Sequence, residues 1–170
     1  MMRSVIQCGD LVVRQRRLWL MLTLYDADCA APMNAERKRL VQQTWEMVAR
    51  DHDQTATVFY DRLFEIDAPA RAMFAQTDMA AQRTKFVAMM SDIVAHLDLP
   101  ATLIPSLSSL GHRHREYGVR QIDYDRVREA LFGALAAGLG DTFTADVRDA
   151  WEEAYALTAS VMMRGAERGT

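Results

Sequence analysis

The chain has 170 residues, of which 50% are hydrophobic and 25% charged; that is one domain's worth of sequence, with apolar side chains for a sizeable core, and it excludes a disordered tail. Twenty Lys and Arg against 23 Asp and Glu leave a net charge of −3, with no broad basic face for nucleic acid. Two cysteines, Cys8 and Cys29, exclude a disulfide framework or a Cys-rich metal centre, and the longest apolar run (residues 18–25, broken by Thr23) falls far short of the about 20 residues of a transmembrane segment.

Residues 1–33 stand apart. Arg3, Arg14, Arg16 and Arg17, a short apolar stretch and small residues superficially imitate a secretory leader. The apolar stretch begins late, however, and Asp26 and Asp28 suit a cleavage site poorly. The reading is a poorly ordered or dispensable extension over 1–33, a domain over 34–170, and a cytoplasmic location.

From Asn34 the sequence reads as one helix after another. Asn34 caps a helix to about residue 50, with Leu40, Val41, Trp45 and Val48 on one face. A second begins near Asp53 and repeats Ala56, Phe59, Tyr60, Leu63 and Phe64 at the helical period. Asp67-Ala-Pro69 stops it and starts a short turn of helix ending at Met73 and Phe74. Residues 79–97 carry the stripe Gln82, Phe86, Met89, Met90, Ile93 and Leu97. Pro100 and Pro105 are expected to bracket a connection before a helix with Leu107, Leu110, Gly111 and His114 on a common face, ended by Gly118. Asp123 opens a helix of Tyr124, Val127, Leu131, Ala134 and Leu135 that closes at Gly138 and Gly140. The last, 144 to about 163, aligns Val147, Trp151, Ala154, Tyr155, Thr158, Val161 and Met162. Nothing alternates with period two. The expected fold is all-α, six to eight helices in a single domain.

Three polar residues sit on these apolar stripes: Gln82, His114 and Tyr60. A buried polar group without a partner costs about 1–3 kcal/mol, so each needs one. The commonest explanation for a single such histidine is a hydrogen bond to a nearby carbonyl, and for a single tyrosine ordinary core packing. What carries weight is co-occurrence: a phenol, an aromatic (Phe74) before a polar loop, an amide and an imidazole follow one another on separate segments. Other chemistry is absent from the sequence. It has no Gly-rich phosphate loop, nucleophile elbow or H-E-x-x-H pair, and His112 and His114, two apart on a helix, diverge by about 200°.

Taken together, Val58-Phe-Tyr-Asp-Arg-Leu-Phe64, Arg71-Ala-Met-Phe74, Gln82-Arg-Thr-Lys85, Leu110-Gly-His-Arg-His-Arg-Glu-Tyr-Gly118, Tyr124-Asp-Arg-Val127 and Trp151-Glu-Glu-Ala-Tyr155 resemble the bacterial single-domain globins, close to the globin domain of flavohaemoglobins. The resemblance spans residues 34–164. It implies a globin fold enclosing a haem pocket, with haem b as cofactor. By the same resemblance His114 is the axial ligand of the iron, Phe74 and Phe86 pack against the haem and its ligand, and Lys85 approaches a propionate. Tyr60 and Gln82 are the pair that hydrogen-bonds a diatomic ligand (oxygen, nitric oxide or carbon monoxide).

The implied function is reversible oxygen binding at a five-coordinate haem, for delivery or storage. Nitric oxide dioxygenation with a separate flavin reductase is the enzymatic alternative, and a haem-based or haem-less sensor module is the third. Three features depart from the family pattern. A Glu expected late in the last helix is replaced at the aligned position by Ala166, with Glu167 one residue on. Phe86 stands where a Leu is usual, and no reductase domain is expected to follow the globin domain.

Overall fold

The structure is a computed structural model and describes residues 33–168. The predicted extension lies outside these residues except for Met33, which is buried in the core of the helical unit. Asn34 starts the first helix as predicted, its side-chain oxygen accepting the Arg37 N–H at 2.8 Å. Seven α-helices follow: α1 (Ala35–Val48), α2 (His52–Ile66), α3 (Ala68–Met73), α4 (Met79–Ala95), α5 (Pro100–Glu116), α6 (Gln121–Leu139) and α7 (Ala145–Arg168). Short 3₁₀ turns at Ala49–Asp51 and Gly140–Thr142 link α1 to α2 and α6 to α7. Among the described residues there is no strand, and no helix is long and apolar enough to cross a membrane.

Two helix starts differ from the expectation. Pro100 and Pro105 do not bracket a connection. Pro100 occupies the first turn of α5, where its missing N–H costs nothing, and Pro105 lies inside the helix. Pro105 is tolerated because it and Ala101, whose carbonyl it deprives of the usual helical N–H, are both exposed. Buried Leu103 and Leu107 hold the segment helical around it. Helix α6, likewise, starts two residues before Asp123. Asp123 closes a capping box from the third helical position, accepting the Arg120 N–H at 2.8 Å. Arg126 extends this network, with Nη1 3.0 Å from buried Asp67 and 2.9 Å from Asp123, tying the start of α6 to the α2–α3 junction.

The core is built from the faces the helical period marked out, with Val41, Trp45, Phe59, Leu131, Leu135 and Trp151 all buried. Both tryptophan indoles in this core find partners. Trp45 Nε1 donates to Ser91 Oγ at 2.9 Å, and Trp151 Nε1 to Thr44 Oγ1 at 3.0 Å. Helices α5 and α7 cross backbone to backbone. A Cβ on Gly111 would stand 2.7 Å from Met162 Cα, and one on Gly165 2.7 Å from Ser108 Oγ, closer than real Cβ contacts come. Thr158, the polar residue on the α7 stripe, satisfies its hydroxyl on the Ala154 carbonyl at 2.8 Å.

Candidate functional site

The last turn of α5 places His114 half-buried in the wall of an apolar cleft. Its Nδ1 lies 3.0 Å from the Leu110 carbonyl oxygen. A carbonyl only accepts, so Nδ1 carries the proton and donates it. Burial pulls the imidazole pKa below its ordinary value; the Leu110 bond opposes this and the Arg113 charge reinforces it. The ring is therefore neutral at pH 7, with its lone pair on Nε2: the tautomer and orientation in which a histidine ligates a metal.

The turn beyond α5 completes this wall. Gly118, at φ 84°, takes the left-handed conformation that lets the Val119 N–H return to the His114 carbonyl at 3.0 Å, while the Gly118 N–H reaches the Arg115 carbonyl at 2.9 Å. Val119 is thereby carried onto the cleft, a position sequence reasoning missed; the left-handed Gly118 is the signal that could have found it.

The cleft holds a cavity of about 100 Å³, open to solvent on one side. Leu110, Phe86, Met90, Ile93, Leu131 and Met162 are among the apolar side chains around His114. Tyr124, Tyr155 and Thr158 bring the polar groups. The Tyr155 hydroxyl donates to the Tyr124 carbonyl at 2.7 Å, and burial pushes both phenols above their ordinary range, so both stay protonated. Trp151 and Val41 close the deep end. Tyr124, Tyr155 and Trp151 were read as core-stripe residues and as parts of the motifs that carry the resemblance; their place around one cleft depends on how α6 and α7 pack.

Tyr60 and Gln82 come together as a pair. Gln82 Nε2 donates to the Tyr60 hydroxyl oxygen at 3.0 Å across 22 positions of sequence. That bond uses the oxygen's lone pair and leaves the phenolic hydrogen to be donated elsewhere. Burial raises the Tyr60 pKa, Gln82 opposing it, so the phenol is protonated.

The pair is not itself in the wall of the cleft; it stands one aromatic ring away. Tyr60 meets the edges of Phe59, with centroids 4.9 Å apart, and Phe86, at 5.8 Å. Phe59 and Phe86 stack on each other at 4.2 Å and 8°, and both line the cleft.

Phe74 is half-buried on the other side of this cluster, 5.5 Å from the Tyr60 ring and 5.7 Å from Phe64, and Lys85 is exposed on α4; neither lines the cleft. His112 also diverges from His114, with Nε2 3.5 Å from Glu116, and Glu167 is exposed near the end of α7. Among the described residues no three His, Cys, Asp or Glu side chains gather as a metal-binding group, so His114 faces the cleft as a single imidazole.

The family model for globins matches residues 42–162, the stretch that builds this cleft. The chain is a globin.

Among curated proteins, this globin is 33% identical over 119 residues to a flavohemoprotein of Bacillus subtilis, covering 68% of this chain and 30% of that one. It thus spans under a third of the flavohemoprotein's length. A neuroglobin of Danio rerio is 27% identical over 146 residues, covering 78% of this chain and 92% of its own. Among solved structures, a hexacoordinated heme protein from an anhydrobiotic tardigrade superimposes with a TM-score of 0.73 at 16% identity, over 80% of this chain and 96% of that one, and shows the shared fold. A flavohemoglobin from Malassezia yamatoensis with bound FAD and heme superimposes with a TM-score of 0.66 at 26% identity, over 81% of this chain and 37% of that one.

Proposed function

We propose that this globin binds haem b through His114 and takes up oxygen, or nitric oxide or carbon monoxide, reversibly. The observation that carries the reading is the His114 geometry: Nδ1 is committed to the Leu110 carbonyl, leaving Nε2 as a neutral donor at an apolar cleft. The donor set fits the group, since one imidazole among apolar walls is what a macrocycle with a single protein ligand requires. Haem would supply an iron that can accept a diatomic molecule.

The protein's own residues would do the rest. Leu110 and the α5 backbone orient the imidazole, and the side chains of α4, α6 and α7 exclude water. Tyr60, with its phenolic hydrogen uncommitted to Gln82, would donate to a polarised ligand and favour oxygen over carbon monoxide. Phe86, on the cleft wall, would narrow the space open to that ligand. Phe74 would pack against the macrocycle, and the exposed Lys85 ammonium would pair with a propionate.

Absorption spectra of the protein as purified, reduced and treated with carbon monoxide test this reading, beside those of His114→Ala. The expected result is a haem spectrum that responds to reduction and carbon monoxide in the wild type and is lost with the imidazole. A wild type that takes up no haem, or a variant that keeps an unaltered spectrum, overturns it.

A second reading, nitric oxide dioxygenation with a separate flavin reductase, is favoured by the similarity to the Bacillus subtilis flavohemoprotein. Repeated turnover of nitric oxide in the presence of a reductase separates the two.

A further inference from the structure

The segment of α5 that carries His114 is fastened to α7 at three points. The Gly165 backbone meets Ser108, the Gly111 backbone meets Met162, and Arg115, beside His114, reaches back so that its Nη1 donates to the Ala166 carbonyl at 2.8 Å. The first two contacts set how far apart the helices lie. They are made by glycines against backbone and are not directional. The Arg115 bond differs in kind. It is directional and ends on the Ala166 carbonyl of α7.

We propose that Arg115 is a positioning residue for His114: by its bond to the Ala166 carbonyl of α7 it fixes the rotation of α5, and with it the direction of the imidazole Nε2. Neighbouring residues on a helix turn together, by about 100° per position. Rotation of α5 that stretches the Arg115–Ala166 bond therefore swings His114 by the same angle. The Leu110 bond cannot oppose this, because Leu110 and His114 belong to the same helix and move as one body. Arg115 is exposed, so its role here is to hold a position and not to fill the core.

For its haem-dependent readout the inference rests on haem binding by His114, and the experiment separates the two. Arg115→Ala and Arg115→Lys are compared with wild type in two states. In the haem-loaded, reduced protein, the iron–imidazole stretching band is read by resonance Raman scattering and haem loss to an acceptor protein is timed. The expectation for Arg115→Ala is a shifted, broadened band and several-fold faster haem loss, with Lys, which keeps the charge, restoring most of both.

In the haem-free protein, the ring nitrogen resonances of His114 are read by NMR. The expectation is one sharp set in wild type and an exchange-broadened set in Arg115→Ala, at an unfolding midpoint close to wild type. An unchanged Raman band and haem-loss rate, or unchanged ring resonances, overturn the proposal. Wild type that takes up no haem overturns the functional reading instead, and the haem-free spectra then decide the role of Arg115 alone.

Discussion

Gly111 and Met162 stand so close that a methyl group on Gly111 would press into the backbone of Met162, its Cβ 2.7 Å from the Met162 Cα. The neighbour is helix backbone and cannot rotate aside as a side chain could. The contact brings α5 and α7 together at the level of the cleft, three residues before the histidine.

Gly111→Ala sets two effects against each other. Alanine in a helix gains up to about 1 kcal/mol of intrinsic propensity over glycine, while overpacking costs about 1–3 kcal/mol and more when backbone must move. The second effect wins here, so the expected outcome is a lower midpoint of thermal unfolding together with faster haem loss, as the helices are forced apart. A variant as stable as wild type would mean that α5 and α7 separate without penalty.

Tyr60→Phe removes the phenolic hydrogen and leaves the ring packing on Phe59, Phe74 and Phe86 in place. One net hydrogen bond is worth about 1 kcal/mol, or several-fold in a rate. Oxygen dissociation measured by stopped flow is expected to be several-fold faster or more. An unchanged rate would assign the donation to Gln82 or to water.

Thr44→Val tests the polar contact at the deep end of the cleft. Thr44 Oγ1 accepts the Trp151 indole N–H and itself donates to the Leu40 carbonyl, all within the core. Valine keeps the shape and strands a buried indole N–H, at a cost of about 1–3 kcal/mol. Urea unfolding should show a lower midpoint with an unchanged slope, and a double variant with Trp151→Phe should recover part of the loss.

Acid should selectively weaken the start of α6. Burial pushes the Asp123 carboxyl pKa up, but the Arg120 backbone N–H and the Arg120 and Arg126 guanidiniums outweigh it and hold the group below its ordinary range. A folded-state value below the unfolded value of about 3.9 means the contribution is fully present above about pH 4 and is lost as pH falls through the folded value. The stability difference between wild type and Asp123→Asn should therefore be constant near neutrality and shrink in acid. A difference independent of pH would contradict the assignment.

Much of the fold could be read along the chain because a helix writes its buried face into sequence at a fixed interval. The stripes of Val41 and Trp45, of Phe59 and Leu63, and of Leu131 and Leu135 are buried where the period placed them, and Asn34 caps where its side chain suits the role. Two helix starts were misplaced for local physical reasons. Proline is a strong stop signal in sequence, and only the exposure of Pro105 and Ala101 makes it harmless within α5. Asp123 is a good cap by composition, yet its carboxylate serves the helix from the third position.

By itself, then, the sequence determined what short-range chemistry can determine: a run of six to eight helical segments, their apolar faces, and the polar residues that interrupt those faces. Tertiary structure alone decided which of these residues meet. The amide of Gln82 on the hydroxyl of Tyr60, the backbone of Gly111 on that of Met162 and the guanidinium of Arg115 on the carbonyl of Ala166 join positions far apart in the chain. The reason is physical: periodicity fixes a residue's direction about its own helix axis, but the distance and rotation between two helices come from the packing of both surfaces at once.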